Sequence, residues 1–184
     1  RDIFTFVEEF EGLDFRGALK FLSDKAGIQL TGSVRKDKKT EDSLYKLMEA
    51  ATTYYRSEFV ASKDAEKYLR DRGVNDESME SFAVGFAPDG WHNVNNALKK
   101  KGFTESLIEK AGLIISSDKK DGNEKVFYDR FRNRIMFPIK DTAGRVIAFS
   151  GRTLDTIKET AKYINSPETE LFNKSDVLYG YDKA

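Results

Sequence analysis

Three arginines alternate with other residues in Tyr128-Asp129-Arg130-Phe131-Arg132-Asn133-Arg134-Ile135, just where an apolar run opens a strand. In extended chain, alternate residues share one face. Arg130, Arg132 and Arg134 are therefore expected to project together, close enough for forked guanidinium groups to take successive phosphates. A solvated basic edge that discourages strand pairing has the same spacing. A second cluster follows: Ser150-Gly151-Arg152-Thr153 at a strand end, then Lys162-Tyr163-Ile164-Asn165 and Phe172-Asn173-Lys174. Cation, aromatic and amide side by side suit a single nucleic-acid strand: cations track the backbone, Tyr163 offers a stacking face and Asn165 can bond base or sugar. Set against this is a core role for Tyr163 beside a merely solvated Lys162.

Catalytic chemistry has less to stand on. A two-metal nucleotidyl transferase needs a tight acidic cluster, whereas Asp129, Asp141, Asp155, Glu168 and Glu170 are scattered. Asp129 is expected to orient Arg130 or Arg132, and Glu168 to cap a turn. The one histidine, His92, and the absence of cysteine exclude a Cys/His zinc site built from this chain alone. Walker A, dinucleotide-binding, Gly-x-Ser-x-Gly and His-Glu-x-x-His motifs are all missing.

These residues need a scaffold, and apolar spacing outlines one. Short helices are expected over residues 3–10 and from Asp14 to Ala26, stopped by Gly27. Residues 31–40 are polar, charged and aperiodic, and read as a linker. Leu44, Leu47, Met48, Ala51, Tyr55 and Phe59 then mark a long amphipathic helix from Glu41 to about Val60. Helices over Asp64–Arg72 and Asp76–Phe82, a strand-like stretch at 83–88, and helices over Trp91–Lys101 and Thr104–Ala111 follow. Strands are expected at Leu113–Ile115, Lys125–Tyr128, Ile135–Ile139, Val146–Thr153 and Lys162–Asn165, with a helix beginning at Asp176. The fold class is α+β: helices first, then a small, mainly antiparallel sheet.

Across 184 residues, 34% charged and 39% hydrophobic side chains describe a folded, well-solvated chain. Net charge is zero, split as 21 Lys and Arg against 24 Asp and Glu over residues 1–129, and 10 against 7 over 130–184. That asymmetry alone is ordinary surface scatter. No run approaches the roughly 18 apolar residues of a membrane span, and no signal-peptide pattern opens the chain, so the expectation is a cytoplasmic protein. The missing initiator methionine and abrupt end suggest a piece of something longer. Phe4, Phe6 and Phe10 are expected to form an exposed apolar face that packs on a neighbouring domain.

Four stretches, in order, resemble bacterial DnaG-type DNA primase: Asp2–Phe15 running on to Ile28; Tyr68–Gly73 with Phe82–Pro88; Asp129–Asp141 with Gly144–Arg152; and Lys162–Thr169 with Leu171–Lys174 and Leu178–Gly180. The resemblance implies the tail of a zinc-binding domain over 1–30, a linker over 31–40, and the N-terminal subdomain of the RNA-polymerase core over 41–184. It implies that Arg72, Arg130, Arg132, Arg152, Lys162, Tyr163, Asn165 and Lys174 contact single-stranded template DNA; for Arg72 the resemblance is the sole warrant. It further implies that no catalytic or metal-binding residue lies in this piece, that Mg²⁺ or Mn²⁺ belongs to a following Toprim domain, and that Zn²⁺ belongs to a preceding domain. RNA primer, nucleoside triphosphates and a replicative helicase would be partners of the full enzyme, a monomer. The alternative is a non-catalytic single-strand-binding module of a phage or replication-associated protein.

Overall fold

A computed structural model of the chain describes residues 3–11, 18–19, 22, 25, 38–118, 125–155, 161–180 and 182. The chain divides into two compact units, Arg1–Lys38 and Lys39–Ala184. In the first, α1 (Ile3–Glu11) coincides with the helix expected over 3–10. Val7 on it is buried and Phe6 exposed, whereas Phe4 is half-buried rather than open. The side chain of Phe10 lies outside the described residues. The helix expected from Asp14 to Ala26 also falls largely outside them, although residues 18, 19, 22 and 25 are helical.

The second unit opens on α2 (Lys38–Ala61), which begins within the segment read as linker; residues 31–37 of that segment are outside the described set. Glu41 in its first turn complements the helix dipole. Leu44, Leu47, Met48, Ala51 and Tyr55 recur at helical spacing and are all buried. Short helices follow: α3 (Lys63–Arg70), α4 (Asp76–Ser81), α5 (Asn93–Lys100) and α6 (Glu105–Lys110). Ser62, Asn75 and Thr104 cap α3, α4 and α6 by accepting from Ala65, Ser78 and Leu107 amides. No described helix is long and apolar enough to cross a membrane.

The strands are β1 (Gly85–Ala87), β2 (Ile114–Asp118), β3 (Lys125–Asp129), β4 (Arg134–Lys140), β5 (Val146–Thr153) and β6 (Tyr163–Asn165). β2 and β3 form a two-stranded ribbon, and the rest an antiparallel sheet ordered β1-β4-β5-β6. Alternation along the strands separates its two faces. Met136 and Phe149 pack against α2, with Tyr55 edge-on to Phe149 at 5.3 Å. Ile135 lies on the opposite face under Ala65 and Leu69 of α3 and Met79 of α4, with Phe86 and Phe137 alongside. Those two helices cover the β1–β4 side of that face.

Two glycines sit where a side chain cannot. A Cβ on Gly85 would lie 2.6 Å from Tyr55 Cβ, so β1 and α2 touch backbone to backbone. A Cβ on Gly151 would stand 2.8 Å from the Phe131 ring and 3.1 Å from Arg134 Cδ. Gly151→Ala is therefore expected to cost roughly 1–3 kcal/mol of unfolding free energy, read from the urea midpoint; an unchanged midpoint would show that the Phe131 ring yields freely.

The β4–β5 turn is closed by Asp141, which accepts from the Ala143 and Arg145 amides and from Arg145 Nε, while Gly144 takes φ +79°. Arg145 also lies 3.9 Å over the Tyr45 ring of α2. Burial alone would raise the Asp141 carboxyl, but the backbone and side-chain donors of Arg145 together hold it below its ordinary value. The helix expected to begin at Asp176 does not form among the described residues. A 3-10 turn, Lys174–Asp176, is capped by Asn173, and Val177 is already extended, while residue 182 is again in 3-10 conformation and 181, 183 and 184 lie outside the described residues.

Candidate nucleic-acid interface

The expected row of three arginines is broken by the backbone. β3 ends at Asp129 and β4 begins at Arg134, and between them Asn133 takes φ +48°. The alternation rule does not apply to a chain that turns in the left-handed region. Arg134 points into the protein, 7% exposed, and its Nη1 donates to the carbonyls of Gly151, Ala161 and Lys162 at 3.1, 3.0 and 3.4 Å. Burial lowers its pKa, as it does that of half-buried Arg130, whose Nε is enclosed without a hydrogen-bond partner. Arg132 departs in a third direction. Its guanidinium lies 4.2 Å from the Trp91 ring centroid and 5.8 Å from that of Tyr128, and it donates to the Asp129 main-chain carbonyl.

The Asp129 carboxylate orients neither neighbouring arginine, contrary to expectation. It is buried and accepts from the Val94 and Asn95 amides at 2.8 and 3.1 Å, while the Asp129 amide donates to the Trp91 carbonyl at 2.7 Å. His92 occupies the N-cap position of α5 but makes no cap bond, so Asp129 caps this helix from a distant strand. Burial pushes the carboxyl above its ordinary value, against the pull of the amides.

The second cluster assembles on the sheet. Arg152 pairs with Tyr163 across β5 and β6, and Ser150 with Asn165, so these four share the face that carries Ile135, on the β5–β6 side that α3 and α4 leave uncovered. Arg152 donates through Nε to the Tyr68 hydroxyl of α3 and through Nη1 to the Tyr163 hydroxyl. Its Cζ lies 5.5 and 5.0 Å from the two ring centroids. The Tyr163 bond first, and the Tyr68 bond against some burial, hold this guanidinium more firmly protonated. Arg72, just past α3, lies 4.6 Å over the Tyr68 ring. Lys162 and Asn165 are exposed, as is Tyr163 at 53%, which rules out the core role for that ring.

The two groups meet at one end of the sheet. Arg134 ties the start of β4 to residues 161 and 162, and the Leu154 amide donates to the Asn133 carbonyl. Exposed Lys174 stands in the 3-10 turn, and no described contact brings it to either group. Among the described residues no carboxylate lies within ion-pair distance of Arg72, Arg132, Arg152, Lys162 or Lys174, whereas Lys67, Arg70 and Arg145 are paired. Uncompensated cations interleaved with exposed rings on an open face suit a flexible polyanion. No three described His, Cys, Asp or Glu side chains are placed to hold a metal ion.

A family model describing the DNA primase catalytic core, N-terminal domain, matches residues 54–184. The chain belongs to this primase family. The DNA primase of Deinococcus radiodurans is 43% identical over 183 residues, covering 100% of this chain and 30% of the relative. That of Clostridium acetobutylicum is 38% identical over 187 residues, with the same coverages of 100% and 30%. A solved DnaG primase catalytic domain bound to ssDNA is similar at 40% identity and TM-score 0.66, covering 79% of this chain and 44% of that one. The zinc-binding and RNA polymerase domains of Aquifex aeolicus primase align at TM-score 0.69 and 27% identity, over 99% of this chain and 42% of theirs. The chain thus spans about 30% of the length of these curated DNA primases.

Within this primase-family chain, sequence reasoning overlooked the aromatic partners. Tyr68 is spaced four residues from Arg72 on a helical turn, a signal for a ring–cation pair. Trp91 and Tyr128, whose rings meet edge-on at 5.9 Å, are 37 positions apart and carry no such local sign.

Proposed function

We propose that this chain is the template-holding part of a DNA primase, a nucleotidyl transferase that synthesises short RNA primers on single-stranded DNA. The observation that carries the reading is the Arg152 guanidinium gripped by Tyr68 and Tyr163 on an open sheet face, beside exposed Lys162 and Asn165. Arg72, Arg132, Arg152 and Lys162 supply phosphate contacts, and Tyr163 and Trp91 offer ring faces to bases. Asn165 bonds base or sugar, and Lys174 extends the path. Half-buried Arg130 acts mainly beneath this surface.

Residues 1–30 are the end of a zinc-binding domain and 41–184 the N-terminal subdomain of the polymerase core. In the whole protein, Mg²⁺ or Mn²⁺ and Zn²⁺ are held by other residues, and nucleoside triphosphates, primer and the replicative helicase meet other parts of a cytoplasmic, monomeric enzyme. A non-catalytic strand-binding module would use the same surface; likeness along the whole of this chain to about 30% of the length of curated DNA primases supports the enzyme.

The test is fluorescence anisotropy of the chain with labelled single-stranded DNA across a salt series, beside the triple variant Arg132→Ala, Arg152→Ala, Lys162→Ala. Each lost phosphate contact on a single strand flattens the log–log salt slope by about 0.7, so a decrease of roughly 2 is expected. A folded triple variant with the wild-type slope would refute the platform.

A further inference from the structure

Two arginines on the open face are held without being neutralised. On α3, Lys67 is paired with Asp71, and Arg70 with Glu66 and Asp76, so their charge is spent within the protein. Arg72, two residues beyond Arg70, instead rests on the Tyr68 ring, 4.6 Å from its centroid. Arg152 arrives from β5, 84 positions along the chain, and gives Nε to the hydroxyl of that same tyrosine. Among the described residues, Tyr68 is therefore the side chain that touches both cations. It belongs to a helix seated on the sheet and packs, partly buried, against the cluster of Ala65, Leu69, Met79, Val84 and Ile135, so its position is fixed by the core.

A carboxylate in this place would hold the two guanidinium groups as well, but it would cancel charge that a phosphate needs. A phenol holds them by its ring quadrupole and hydroxyl oxygen and leaves both charges intact. Between them the rings and cations run in one series, Arg72, Tyr68, Arg152, Tyr163. We infer that Tyr68 is a positioning residue of the template platform, fixing Arg72 and Arg152 at a set spacing for adjacent phosphates of one strand. This deepens the template-binding reading above and rests on it.

The experiment compares Tyr68→Phe, which removes the hydroxyl, with Tyr68→Leu, which removes the ring as well, each in the wild-type chain and in an Arg72→Ala, Arg152→Ala background. In the wild-type chain Tyr68→Phe is expected to weaken single-stranded DNA binding about threefold, and Tyr68→Leu about tenfold. In the double-alanine background neither change should move affinity further. An equal loss in both backgrounds, or none in the wild type with the melting temperature unchanged, would overturn the assignment. Arginine Nε–Hε resonances read the geometry without DNA: the Arg152 Hε is expected to be protected from exchange in the wild type and to lose that protection in Tyr68→Phe. Unprotected Arg152 Hε in the wild type would also overturn it. Protection present in a wild-type chain that binds no DNA would leave Tyr68 holding Arg152 and overturn its role in a template platform, placing the failure in the template reading.

Discussion

Asp129→Ala is expected to lower the unfolding free energy by roughly 2–4 kcal/mol, among the largest effects of any single substitution in the second unit. The Asp129 carboxylate is the cap that α5 lacks locally, accepting from the Val94 and Asn95 amides at 2.8 and 3.1 Å. Removing it leaves two buried donors unpaired and a small void beside Val94. Asp129→Asn keeps one acceptor but turns an amide group toward the second donor, so about half the loss is expected. The chain has one tryptophan, Trp91, whose carbonyl accepts from the Asp129 amide, and its emission reports on this corner selectively. Urea unfolding followed by Trp91 fluorescence and by far-ultraviolet circular dichroism checks the result. A loss below about 0.5 kcal/mol would mean that water caps the helix instead.

Arg134→Leu is expected to cost a similar amount, roughly 2–4 kcal/mol, and to weaken DNA binding although the side chain is buried. Its guanidinium gathers the carbonyls of Gly151, Ala161 and Lys162, and so pins the entrance of β6 against β4 and β5. A leucine fills part of the volume but supplies no donor. Arg134→Lys restores a charge without the planar fork and should recover less than half of the stability. Hydrogen exchange over residues 161–165 is expected to quicken in both variants ahead of the rest of the sheet. Unchanged exchange there, with unchanged affinity, would show that the β5–β6 ladder alone fixes Lys162 and Tyr163.

These two residues also mark where sequence reasoning succeeds and where it stops. Helix α2 was legible from the apolar spacing of Leu44, Leu47, Met48, Ala51 and Tyr55, and the short helices α3 to α6 form at the stretches expected for them. Strands β4 and β5 were legible from alternation around the turn at Asp141 to Gly144. The basic row at 130–134 was misread because β3 ends at Asp129 and left-handed Asn133 then turns the chain before Arg134, so the three arginines do not share one extended segment. Arg134 then finds its acceptors 17 to 28 positions away, and Asp129 its donors 34 and 35 positions away, distances over which local pattern carries no information. That no helix starts at Asp176 itself has a local cause, since Asn173 caps a turn that extended Val177 immediately ends. Arg152, Tyr163 and Asn165 were legible as a group because residue types suited to a nucleic-acid strand recur there, and strand register brings these three onto one face.

The β4–β5 turn offers a practical handle. Thr142 and Ala143 are exposed there, braced by Asp141, Arg145 and Tyr45, and β5 carries the chain six residues from Val146 to Arg152, roughly 20 Å. Because this sequence contains no cysteine, Thr142→Cys would introduce its only thiol. A dye or a surface tether attached at that position would stand off the cationic end of the sheet by the length of a strand. Single-molecule recordings of strand capture could then be made with the label anchored to a rigid corner and the binding face left unobstructed.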